Sequence, residues 1–331
     1  MRAFGSVLAS LIAAVALGMP ATARPALVPL VDHHQHLFSP QVARLLRPDS
    51  SWGGISARDL IALLDSADIR RAVVLSVAYT WGSPARNVSD EYAHVRAENN
   101  WIAEQVASAP RRLVGFCSVN PLKPYALDEI ERCARNPWLR NGLKLHFGNS
   151  DVQLDDSVHV AQLRRVFAAA NRHHMAIVVH LRESISRQRP YGAREARIFL
   201  EQVVPSAPDV PIQIAHLAGS GPGYADSAAD SAMSELGRAV AEHRPGTDHL
   251  WFDVASIAND VTADIAATIV RRIRQVGVNR ILYGSDSAIG SNLPRESWAA
   301  FCRLPLTPAE LGTIARNVAP YLRATAATGR P

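Results

Sequence analysis

Cysteine is scarce in this chain. Three occur in 331 residues, Cys117, Cys133 and Cys302. None sits in a CxxC pair or a Cys/His cluster, which argues against a structural zinc knuckle. An odd count leaves at least one thiol unpaired unless another chain supplies a partner. Cys117 lies in the apolar run 113–119 (LVGFCSV) and reads as a buried core thiol. Charge of one sign is also thin. The formal balance is +5, but the 35 Lys and Arg residues are scattered, with no basic run interleaved with aromatics. That argues against a nucleic-acid partner. Internal repeats, low-complexity tracts and a clear domain linker are lacking too. Apolar residues reach 48% and charged ones 20%, enough for a sizeable core and too ordered a composition for disorder.

No apolar run is long enough to span a bilayer. The longest early one, residues 7–17, follows Arg2 and precedes the small residues Ala21, Thr22 and Ala23. A positive start, a short apolar stretch and a small-residue site form a secretory signal, with cleavage expected after Ala23. The expected organisation is a signal peptide over 1–23 and one domain over 24–331, exported to a periplasmic or extracellular space and free of the membrane after cleavage.

Eight apolar runs punctuate the rest, at 28–36, 72–79, 113–119, 142–147, 176–181, 212–217, 250–255 and 281–285. Runs apolar along most of their length suit strands buried on both faces, as in a parallel sheet. Helical periodicity fills the intervals, at 57–65, 99–108, 127–135, 158–172, 193–204, 231–242, 262–276 and 307–322; Leu163, Val166, Phe167 and Ala170 are an example. Eight strands alternating with helices predict an α/β fold, a (β/α)8 TIM barrel. A doubly wound sheet would want a glycine-rich loop after the first strand, and here that strand ends in histidines.

Those histidines are the strongest local signal. In Asp32-x-His34-x-His36, residues two apart on a strand share a face, so both imidazoles converge near the barrel mouth and can grip a divalent ion. His180 closes the fifth run, His216 lies in the sixth and Asp286 follows the eighth. Barrel enzymes build their sites at those strand ends. Buried unpaired polar groups there cost several kcal/mol, roughly, so such a set points to a metal site.

The order HxH on strand one, His on five, His on six and Asp on eight resembles the amidohydrolase superfamily, and more narrowly its amidohydrolase-related (amidohydrolase 2) branch, which also includes decarboxylases and hydratases. The matching segments are VDHHQHLF, RRLVGFCSVNP, GLKLHF, IQIAHLAGSG and RILYGSD, from about Val31 to Pro320. The resemblance implies that His34, His36 and Asp286 hold the metal, with His180 a further ligand. His216 would bind a second metal or polarise the substrate. Asp286 would take a proton from the metal's water and pass it to the leaving group. Zn2+, one or two ions, is the expected cofactor, with another divalent metal as the alternative.

Lys144, on strand four, would bridge two metals if carboxylated; unmodified, it would bind a substrate carboxylate or an internal acid. His146 shares its face and reads either as a substrate contact or as a loop histidine. Arg182 would clamp an anionic group or pair with a nearby acid. Asp32, one pleat deeper, is expected to orient the histidines, and Asp253 to make a buried structural hydrogen bond. Tyr79, Trp81 and Trp251 would line a pocket or simply pack.

The implied activity is metal-dependent hydrolysis of an ester, lactone or amide on a small molecule. A lyase reaction, decarboxylation or hydration, is the alternative on the same site, and a non-catalytic metal- or ligand-binding barrel is the third. Specificity should lie in the loops 39–55, 81–92, 182–191 and 219–230. Nothing in the sequence fixes oligomeric state, so a homo-oligomer is compatible with it.

Overall fold

A computed structural model describes residues 27–287 and 293–327, so the expected signal segment lies outside the described residues. The eight strands are β1 (Val31–Gln35), β2 (Arg71–Leu75), β3 (Leu113–Ser118), β4 (Gly142–His146), β5 (Ala176–His180), β6 (Ile212–Ile214), β7 (Leu250–Asp253) and β8 (Ile281–Leu282). They pair in chain order, each parallel to the next. The seam closes where His33 N donates to Tyr283 O at 2.8 Å and Asp286 N donates to His34 O at 2.9 Å. The chain is a (β/α)8 barrel.

Alternation along the strands sorts the core into two layers. Leu113 and Cys117 of β3 face the surrounding helices, whereas Val114 and Phe116 face the barrel interior. The interior floor joins Val73, Leu75, Val178 and Leu282 to Tyr321 and Leu322 of the last helix, Pro320–Ala327. Phe116 and Tyr321 meet edge to face, with ring centroids 5.1 Å apart. A Cβ on Gly142 would lie 2.1 Å from the Phe116 ring, so this strand start must be glycine.

The outward face of β3 corrects one sequence expectation. Cys117 is not a core thiol but is disulfide-bonded to Cys133 on helix Ala126–Ala134, and Cys302 is the free cysteine among the described residues. The apolar run showed burial; it did not show that Cys133 faces the same layer.

Helix starts follow capping chemistry. Ser56 with Asp59 and Thr307 with Glu310 form capping boxes, while Asp156, Asp226 and Thr262 cap their helices singly. The expected helix at 307–322 is two helices, Pro308–Arg316 and Pro320–Ala327, because Pro320 cannot continue the first. The expected helix at 193–204 is α-helical only over Ala193–Ile198 and continues as a π-helix over Phe199–Val203. Pro40–Leu46 forms a further helix after β1, inside the expected loop 39–55. Among the described residues no helix is long and apolar enough to cross a membrane.

Phe116 is fully buried in the interior floor. Its replacement by alanine should cost about 3–5 kcal/mol, read as a lowered denaturation midpoint. A midpoint equal to that of the unaltered protein would show that the floor is not packed as described.

Candidate metal centre

A cavity of about 210 Å³ opens at the C-terminal ends of the strands. His34, His36, Lys144, His146, His180, His216 and Asp286 all line it, so the structure brings together every expected site residue except Arg182. Ligand atoms of His34, His216 and Asp286 lie within 4.8 Å of one another. His36 Nε2 is 3.6 Å from Asp286 Oδ1. His180 stands 5.2 Å from His216, ring to ring, and stacks on His146 at 3.8 Å.

Local backbone irregularity aims these side chains. The β1–β2 register shifts between Asp32 and Gln35, a break in strand parity. Val31 therefore packs into the floor while His34 and His36 still reach the mouth. β6 stops at Ile214, earlier than the expected strand, and His216 turns inward at φ 55°, ψ 33°. Asp286 likewise sits at φ 51°. Left-handed conformations at non-glycine residues cost roughly 1–3 kcal/mol and persist where the surroundings enforce them. Asp253 Oδ1 enforces the first by accepting from His216 N at 2.9 Å. Gly284 makes room for β1, since a Cβ there would lie 2.6 Å from His34 Cβ.

The same parity break reassigns Asp32. It does not touch the imidazoles. Its carboxylate accepts from His34 N at 3.1 Å, Ser285 N at 3.1 Å, Ser285 Oγ at 2.6 Å and Gln35 Nε2 at 2.7 Å. Burial outweighs these donors and lifts its pKa to about 6. The orienting carboxylate is Asp253, which the sequence reading limited to a structural hydrogen bond. His34 Nδ1 donates to Asp253 Oδ2 at 2.9 Å.

Three imidazoles are prepared in the same way. His34 Nδ1 faces the Asp253 carboxylate, His36 Nδ1 faces Leu75 O at 2.6 Å and His216 Nδ1 faces Ala255 O at 2.9 Å. Carboxylate and carbonyl oxygens only accept, so each Nδ1 holds the proton and each Nε2 is a bare lone pair. That is the form a divalent metal takes, and fixing the far nitrogen raises ligand basicity. Burial holds the pKa of His36 and of His216 below the ordinary imidazole value, keeping both neutral. The donor set, neutral imidazoles with one carboxylate, fits a divalent ion of the zinc type.

Lys144 is fully buried, with Nζ 3.3 Å from His34 Nε2. Burial lowers its pKa to about 8, against the opposing pull of Asp253 and Asp286. Arg182 is held elsewhere. Its Nε donates to Asp226 Oδ2 at 2.6 Å, and its guanidinium lies 4.8 Å from the Tyr191 ring centre. Tyr79 lines the cavity, Trp81 stacks on His94, and Trp251 packs against the floor. Phe38, Leu46, Val77, Thr80, Asn149 and Ser220 complete the wall and were not singled out in the sequence. Leu46 and Ser220 lie in the expected specificity loops 39–55 and 219–230, and only a place just past strand ends could have suggested Phe38, Val77, Thr80 and Asn149.

Asp253→Asn keeps the shape but weakens the acceptor for His34 Nδ1. Metal affinity, measured by chelator competition, should fall about 10–100-fold with the fold retained. An unchanged affinity would remove Asp253 from the centre.

Solved structures with the same fold include a dihydroxybenzoic acid decarboxylase from Polaromonas sp. JS666 with bound manganese and the inhibitor 2-nitroresorcinol. It is 15% identical, with a TM-score of 0.62, and the match covers 92% of this chain and 98% of that one. A probable 2-pyrone-4,6-dicarboxylic acid hydrolase from Acinetobacter baumannii is 16% identical, with a TM-score of 0.55 over 87% of this chain and 96% of that one. An amidohydrolase from Burkholderia multivorans with bound zinc is 14% identical, with a TM-score of 0.57 and the same coverages. At these identities each likeness is one of fold. Among curated proteins no relative matches the sequence. The family model for amidohydrolases, the Amidohydro_2 type, matches residues 31–317, nearly the whole barrel. The chain belongs to this amidohydrolase family.

Proposed function

We propose that the protein is an exported, metal-dependent hydrolase of a small ester, lactone or amide. The observation that carries the reading is the convergence of three Nε2 lone pairs and the Asp286 carboxylate on one cavity. His34, His36, His216 and Asp286 would hold the ion, with His180 beside them. A divalent ion there supplies Lewis-acid polarisation of a substrate oxygen and acidifies water at neutral pH. Asp286, 3.6 Å from His36 Nε2, takes the proton from the attacking water and returns it to the leaving group. Lys144 would be a further metal ligand if carboxylated; unmodified, it would pair with an acid in the cavity. Zinc is the metal this donor set favours, and the zinc-bound amidohydrolase structure supports it.

A second reading, decarboxylation of a small ring acid, is favoured by the likeness to the manganese-bound dihydroxybenzoic acid decarboxylase. Export rests on Arg2, the apolar stretch 7–17 and Ala21–Ala23 in the sequence. The Cys117–Cys133 disulfide supports an oxidising compartment.

Metal-loaded protein is to be assayed on lactones and esters in H₂¹⁸O, and on dihydroxybenzoic acids for CO₂. Hydrolysis requires the label in the product acid. CO₂ release without label sinks the hydrolase reading and leaves the decarboxylase. Asp286→Asn should lower turnover about 10²–10⁴-fold in either case, with circular dichroism unchanged. Retained turnover contradicts the role given to Asp286.

A further inference from the structure

The histidines of the cavity fall into two kinds. His34, His36 and His216 point Nδ1 at acceptors, as described above. His146 points Nδ1 at a donor. It is the last residue of β4 and the cap of the single turn Phe147–Ser150, and its Nδ1 accepts from Asn149 N at 3.1 Å. A backbone amide can only donate. The Nδ1 of His146 therefore holds a lone pair, and the proton of the neutral ring must sit on Nε2.

Its surroundings fix that ring in place. It stacks on His180 with centroids 3.8 Å apart and planes 16° off parallel. Tyr79 stands 5.0 Å away, ring to ring. The ring lines the cavity. An Nε2 that carries a proton has no lone pair in the ring plane to offer a metal.

We infer that His146 is not a metal ligand and instead donates its Nε2–H to an oxygen of the substrate, a carbonyl, phenolic or carboxylate oxygen lying against the metal. This rests on the metal-dependent reading above and deepens it. Asn149, by fixing the tautomer, is the positioning residue.

Long-range ¹H–¹⁵N correlation of the histidine rings in zinc-loaded protein reads the tautomer directly. His146 should show a bare Nδ1 and a protonated Nε2, opposite to His34, His36 and His216. His146→Ala should keep the zinc content of the unaltered protein, whereas His36→Ala should lose it. With 2-nitroresorcinol as probe, His146→Ala should bind about tenfold more weakly, the size of one hydrogen bond. His146→Gln, whose amide N–H falls near the Nε2 position, should recover most of that loss, and it serves if the alanine variant does not fold. A protonated Nδ1 on His146, loss of zinc in His146→Ala, or unchanged probe affinity overturns the assignment. If the unaltered protein does not bind the probe, the decarboxylase reading falls, while the tautomer and zinc content still decide His146.

Discussion

The mouth of the barrel depends on one buried carboxylate. Asp253 enters from β7 with no exposure to solvent. Its Oδ2 accepts from His34 Nδ1 and, at 2.7 Å, from Gln213 Nε2; its Oδ1 accepts from the backbone of His216 and of Ala255. Burial alone would raise its pKa. The hydrogen bond from His34 and the donors at His216 outweigh burial and hold the carboxyl well below the usual range. A buried charge with every lone pair occupied defines one arrangement of its neighbours, because a lost donor leaves it uncompensated.

The effect of this anchor extends down the barrel. Gln213 also accepts from the Tyr321 hydroxyl at 2.6 Å, and Tyr321 packs on Phe116. A continuous chain thus runs from the final helix through Tyr321, Gln213 and Asp253 to His34. These side chains link the floor that stabilises the fold to the cavity at the mouth. At the mouth, strain replaces regularity: His216 and Asp286 turn in from left-handed backbone positions rather than from strand.

Much of this was legible in the sequence, and the reasons differ by element. The eight strands announced themselves because parallel strands buried on both faces leave near-continuous apolar runs. Their ends located His34, His180 and Asp286, since ligand-type residues there are otherwise costly. Parity arguments worked for Lys144 and His146 on regular β4. They failed on β1, where the register break separates Asp32 from the histidines and leaves the orienting role to Asp253. That partner lies 219 positions from His34, and pairing at such distance is set by barrel closure, which local pattern does not encode. The Cys117–Cys133 bond spans only 16 positions, but it depends on which face helix Ala126–Ala134 turns toward β3, and the pairing of Arg182 with an acid was expected without Asp226 being named. The tautomer of His146 depends on a single backbone amide, invisible before the turn Phe147–Ser150 is folded.

The central claim is that these side chains hold a metal ion. A crystal of protein purified without chelator, with diffraction data collected on either side of the zinc absorption edge, tests it most directly. The account predicts an anomalous peak bounded by His34, His36, His216 and Asp286, with His146 outside its coordination sphere. An empty cavity at every first-row metal edge, in protein soaked with zinc, would contradict it.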